Sequence, residues 1–104
     1  MTSKYHAVLF HQENCKPCTE THDLLNQLLT DEPDLGPYVS TMLKDNHSAL
    51  IVAYELDTYP TLMVVDRDGE ETFRMVGGKK IREYLPGILH TIQAVDKNET
   101  CCRH

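Results

Sequence analysis

Cys15-Lys16-Pro17-Cys18 constrains the fold of this chain more than any other stretch. Tyr5 to Phe10, just before it, is an apolar run of strand length, and Ala7 to Phe10 is expected to be buried on both faces. After it, Leu24, Leu25, Leu28 and Leu29 form the i, i+1, i+4, i+5 stripe of an amphipathic helix. Pro17 suits the first helical turn, where its missing N–H is not needed. Asn14 is the expected N-cap. The two cysteines are therefore predicted at a helix N-terminus, directly after a strand.

The rest of the chain reads as alternating elements. Thr30 to Pro37 is a loop punctuated by Pro33, Gly36 and Pro37, and Tyr38 to Leu43 is β-rich. Asp45 to Leu56 reads as a helix, with Asn46 or Ser48 near its start and a weakening Ile51-Val52 pair. Pro60 to Asp66 is a buried strand, and Asp68-Gly69 is a hairpin turn to a strand over Glu71 to Val76. Gly77-Gly78 breaks the chain. Lys79 to Val95 is mostly helical, with Ile81, Tyr84, Leu85, Ile88, Leu89 and Ile92 on one side and Pro86 as a kink or a second start. The expected order is β-α-β-α-β-β-α. That makes an α/β domain over residues 1–94, a small mixed sheet with helices on both faces. Residues 95–104, holding Cys101-Cys102, read as a polar tail.

With 104 residues, a single domain is expected. The net charge of −6 is spread along the chain, so it offers no footprint for nucleic acid or a membrane surface. No apolar run approaches the roughly 20 residues of a membrane span, and no hydrophobic signal region follows Met1 to His6. A cytoplasmic, reducing setting is the expectation. In that setting four cysteines point to catalysis or metal rather than to structural disulfides.

A helix N-terminus stabilises a thiolate, so Cys15, with Lys16 beside it, is expected to ionise readily and act as the nucleophile. Cys18, one turn on and more buried, would resolve the mixed disulfide. Other readings stand beside this one. Zinc needs about four ligands, and the other cysteines, Cys101 and Cys102, are adjacent in the tail with His104 nearby. Two inert buried thiols need no proline between them. Lys16 also favours a disulfide-forming oxidant, which the absence of an export signal opposes. The vicinal Cys101-Cys102 pair closes a disulfide only with strain. It reads as an accessory thiol relay, an intermolecular link or incidental thiols.

Three separated markers resemble the thioredoxin superfamily across roughly residues 5 to 94. Phe10, Cys15, Pro17 and Cys18 match F-W-A-x-W-C-G-P-C. Thr58 to Glu70 is similar to the segment whose cis-proline faces the active disulfide, with Pro60 in that place. Phe73 to Gly78 resembles the glycine segment after the hairpin, with Gly77 lining the substrate groove. The resemblance implies a thioredoxin-like fold and a redox-active Cys15–Cys18 disulfide with no other cofactor and no metal. It also implies a groove of Tyr59, Pro60 and Gly77, where the backbone of Tyr59 pairs with an extended substrate. Asn14, His11 and Lys16 depart from the pattern, and Leu9 stands where the family often has a buried Asp that assists proton transfer. His11 is a candidate replacement if it turns toward the sulfurs. The short N-terminus is similar to glutaredoxins and to the small hybrids often encoded by phages.

The implied activity is thiol–disulfide oxidoreduction of protein disulfides, with a thioredoxin reductase as donor and clients such as ribonucleotide reductase. Lys79 and Lys80 keep open a glutathione-dependent, glutaredoxin-like alternative, since they can meet a glutathione carboxylate. A redox-inactive thioredoxin-fold scaffold is the third reading.

Overall fold

The first apolar run lies at the heart of the sheet. The structure, a computed structural model, describes residues 4–101. Strand β1 (Tyr5–His11) pairs in parallel with β2 (Val39–Leu43), placing Ala7 opposite Val39. On its other side β1 runs antiparallel to β3 (Thr61–Asp66), with Val8 opposite Met63. Strand β4 (Glu71–Val76) returns antiparallel to β3 and completes the order β2-β1-β3-β4. The hairpin turns at Gly69, whose φ of 81° is open to glycine at little cost.

Strand alternation divides the buried side chains between two faces. Ala7, Leu9, Leu62 and Val64 meet Leu25 of α1 (Lys16–Asp31) and Ile81, Leu85, Leu89 and Ile92 of α3 (Gly78–Cys101). Val8, Phe10 and Met63 meet Leu56, with Leu50 and Ile51 of α2 (Ser48–Ala53) packed against them. Helices therefore cover both faces of a thioredoxin-like α/β sheet, as expected.

Four local expectations need correction. The segment read as a loop is largely a 3₁₀ helix, Pro33–Tyr38, because Leu35 is buried in the larger core and anchors it. Tyr84 is 49% exposed, lying off the buried Ile81–Leu85–Leu89 line. Pro86 does not divide α3. A proline inside a helix costs about 3 kcal/mol, and here the flanking Leu85 and Leu89, both fully buried, offset it. Nor does the helix stop at residue 95, where a tail was expected. It runs on to Cys101, and the Asp96 carboxylate accepts the Tyr38 hydroxyl at 2.8 Å, fastening the extension to the 3₁₀ helix. Cys102 and His104 lie outside the described residues.

Helix α2 has only six residues and no side-chain cap at His47. Polar clamps supply what its length cannot. Tyr54 Oη donates to Gly69 O at 2.5 Å, and Arg74 Nη2 donates to Tyr54 O at 2.6 Å. Arg74 is itself held by Glu71 through contacts of 2.7 and 2.8 Å. These bonds tie the end of α2 to the hairpin and so place the segment that leads to Tyr59.

Two substitutions in α3 separate propensity from packing. A Cβ added at Gly87 meets nothing within 4 Å. Gly87→Ala should raise stability by about 0.5–1 kcal/mol. Leu89→Ala removes a fully buried side chain and should cost about 2–5 kcal/mol. Urea unfolding midpoints at constant slope measure both.

Candidate active site

The chain leaves β1 at His11 and turns through Asn14, whose φ of 56° is left-handed, a conformation asparagine tolerates better than most residues. Asn14 is thus the turn residue and not the expected N-cap. Cys15 holds the cap position in extended conformation, and its Sγ accepts the Cys18 backbone N–H at 3.2 Å. A sulfur does here what a Ser or Asp oxygen does at most helix starts. The same bond puts Cys15 Sγ at the positive end of the helix dipole, where an anionic sulfur is favoured.

Polar contacts fix the rest of the first turn around that sulfur. The Thr19 N–H and hydroxyl both donate to Cys15 O, at 3.0 and 3.2 Å. The Thr21 hydroxyl donates to Pro17 O at 2.7 Å, and Thr21 is fully buried. Proline at the second helical position has no N–H to leave unpaired. Cys15 and Cys18 are joined as a disulfide with Cα atoms 5.2 Å apart. Cys15 is half-buried and Cys18 is 2% exposed, so an incoming group meets Cys15 first. Lys16 is exposed.

Facing the pair, the Tyr59–Pro60 peptide bond is cis. The Tyr59 carbonyl oxygen is 4.0 Å from Cys15 Sγ. Pro60 is buried, and its own carbonyl accepts the Gly77 N–H at 3.0 Å. The Tyr59 hydroxyl donates to Leu56 O at 3.3 Å, and Lys44 Nζ stands 5.4 Å from the ring centroid, within cation–π range. Burial, and then the charge of Asp57, push the Tyr59 phenol above its ordinary value. Cys15, Pro17, Cys18, Tyr59, Pro60 and Gly77 therefore gather around one disulfide, although they come from three separate stretches. Among the described residues, no group of three or more His, Cys, Asp or Glu side chains is placed to hold a metal ion.

The thioredoxin-like domain family model matches residues 1–91 of this chain. The chain belongs to the thioredoxin-like family. Solved thioredoxins share its fold. The reduced Schistosoma mansoni thioredoxin pre-protein matches with a TM-score of 0.70 at 18% identity, over 88% of this chain and 81% of its own. Fasciola hepatica thioredoxin matches with a TM-score of 0.65 at 22% identity, over 90% and 83%. Chlamydomonas reinhardtii thioredoxin f2 matches with a TM-score of 0.67 at 17% identity, over 89% and 82%. No curated protein matches by sequence.

Within this thioredoxin-like site, three contributors carried no signal that singled them out. Lys44 covers the Tyr59 ring from a short 3₁₀ turn, Lys44–Asn46. Thr21 supports the first turn from below. Gly78 is the third. Gly77, with φ of 101°, has open space where a Cβ would stand, whereas a Cβ on Gly78 would sit 2.9 Å from Pro17 Cβ and 3.1 Å from Pro17 O. Glycine at 78 lets α3 start directly against the first turn of α1. The sequence shows both glycines side by side, but only the contact with Pro17 tells their roles apart.

Gly78→Ala should therefore lower stability by about 1–3 kcal/mol, as over-packing does. It should also change the rate at which iodoacetamide alkylates reduced Cys15, since the cap shifts with Pro17. Thermal melts and timed alkylation check both effects, with Gly87→Ala as the variant that leaves Cys15 reactivity alone.

Proposed function

We propose that this protein is a dithiol reductant of protein disulfides. The family and the linked Cys15–Cys18 pair support thiol–disulfide oxidoreduction in general. The observation that carries the finer reading is the asymmetry of the pair: an accessible Cys15 sulfur held by a helix N–H, and a buried Cys18 directly behind it. Reduced Cys15 attacks one sulfur of a client disulfide and expels the other as a thiolate. Cys18 then attacks Cys15 Sγ, releases the second client thiolate and leaves the internal disulfide. Two electrons pass to the client and two thiols leave. In this reading the Tyr59 carbonyl, 4.0 Å from Cys15 Sγ, takes an N–H from an extended client segment. A thioredoxin reductase would then restore the dithiol. Clients such as ribonucleotide reductase and a reducing, cytoplasmic setting go with this reading.

One observation favours the glutathione-dependent alternative. Lys79, Lys80 and Arg82, with Glu20 and Glu83, join Pro17 and Gly77 around a cleft of about 450 Å3, in which Arg82 Nη1 lies 3.8 Å from Glu20 Oε1. Lys79 and Lys80, which pair with no carboxylate among the described residues, suit the carboxylates of glutathione.

Equilibration in glutathione redox buffers, with each cysteine read by mass spectrometry, separates the readings. A dithiol reductant gives a Cys15–Cys18 disulfide with a midpoint near about −270 mV. A midpoint of roughly −200 to −230 mV, with glutathione trapped on Cys15, supports the alternative. Cys18→Ser should accumulate Cys15 as a mixed disulfide with a client, and Cys15→Ser should trap none. Activity that survives both substitutions supports a scaffold instead.

A further inference from the structure

A different cleft, of about 330 Å3, opens beside Cys18. His11, Glu13, His22 and Asp23 are the other titratable residues on its wall, with Leu43 closing it from β2. His11 ends β1, and His22 lies about one turn beyond Cys18 on α1. The two rings sit 5.6 Å apart and tilted by 47°. Nδ1 of His22 lies 3.2 Å from Asn26 Nδ2. Burial, and then the charge of His22, hold His11 below the ordinary imidazole value. Neutral His11 is a proton acceptor at neutral pH.

The chemistry of the dithiol asks for such an acceptor. Cys18 is 2% exposed, and burial disfavours its ionisation. Attack on the mixed disulfide nevertheless requires the thiolate. We propose that His11, which shares the cleft wall with Cys18 and packs against the His22 ring, takes the Cys18 proton as the mixed disulfide is resolved. This inference rests on the dithiol reading above. In the step, Cys18 S–H gives its proton to His11 and the sulfur's electron pair forms the bond to Cys15 Sγ. The bond from Cys15 to the client sulfur breaks, and that thiolate leaves and takes up a proton from imidazolium or water. Glu13 and Asp23 on the same wall favour protonated His11, while His22 opposes it. The acceptor works above the His11 pKa and fails as pH falls through it.

The test is stopped-flow reaction of the reduced full chain, carrying Cys101→Ser and Cys102→Ser, with the aromatic disulfide 5,5′-dithiobis(2-nitrobenzoate). Attack by Cys15 releases one thionitrobenzoate in a phase proportional to reagent. Resolution by Cys18 releases the second in a phase independent of reagent. The resolving rate should fall on the acid side with an inflection below the ordinary imidazole value. His11→Gln should slow this phase about 100-fold at neutral pH and abolish the inflection, with the first phase unchanged. His11→Asp should restore the phase with its inflection at lower pH. His22→Gln, on the flank of α1, should move the inflection upward by removing a like charge. Unchanged resolution in His11→Gln, equal loss of both phases, or an unshifted inflection in His22→Gln overturns the proposal. Absence of the first phase in the parent chain overturns the dithiol reading instead.

Discussion

One hydrogen bond, from the Cys18 N–H to Cys15 Sγ, joins the chemistry of this protein to its architecture. It caps α1 and sets the sulfur at the end of the helix dipole, while the disulfide joins the two cysteines across one turn. Everything around it depends on where α1 begins. That start is fixed on one side by β1, whose Ala7 to Phe10 are buried on both faces of the sheet, and on the other by Gly78, which lets α3 close on Pro17. The reactive pair is thus built from a helix terminus and positioned by the most deeply packed strand.

The two sides of the sheet are unequal. On one, α1 and α3 bury a large aliphatic cluster. On the other, four buried residues lie beneath a six-residue helix. The thinner side carries Tyr59 and Pro60. Directional bonds from Tyr54 and Arg74 hold that layer, and such layers open locally at lower free energy than an aliphatic core. Cys15 therefore sits on the more heavily packed side of the sheet, and the Tyr59–Pro60 backbone on the thinner one.

Much of this was legible in the residues. The apolar run before the CxxC, the Leu24–Leu29 stripe and the Asp68-Gly69 turn follow local periodicity and turn chemistry, and the structure follows them. The linked Cys15–Cys18 pair was readable because the two cysteines, with a proline between them, fall at a strand-to-helix junction. What escaped was set by distant contacts. Asn14 carries a capping side chain, yet the sulfur next to it won the cap. The Pro33–Pro37 stretch looked irregular until Leu35 found the core. Pro86 looked like a break, and its cost is met by leucines on either side. Asp96 falls outside the apolar period and so read as tail, yet its carboxylate accepts the Tyr38 hydroxyl and ties this part of α3 to the 3₁₀ helix.

The length of α3 has a consequence for Cys101. The helix begins against the active site at Gly78 and ends at Cys101. At 1.5 Å per residue, its 24 residues carry the backbone of Cys101 about 35 Å from that start. Thiol exchange between sulfurs needs bonding contact, and no cysteine side chain spans such a distance, so Cys101 is out of range of the CxxC within one molecule. Any electron that moves between them must cross from one chain to another. Such a transfer is second order in protein, so dilution switches it off while the chemistry within the CxxC continues unaffected.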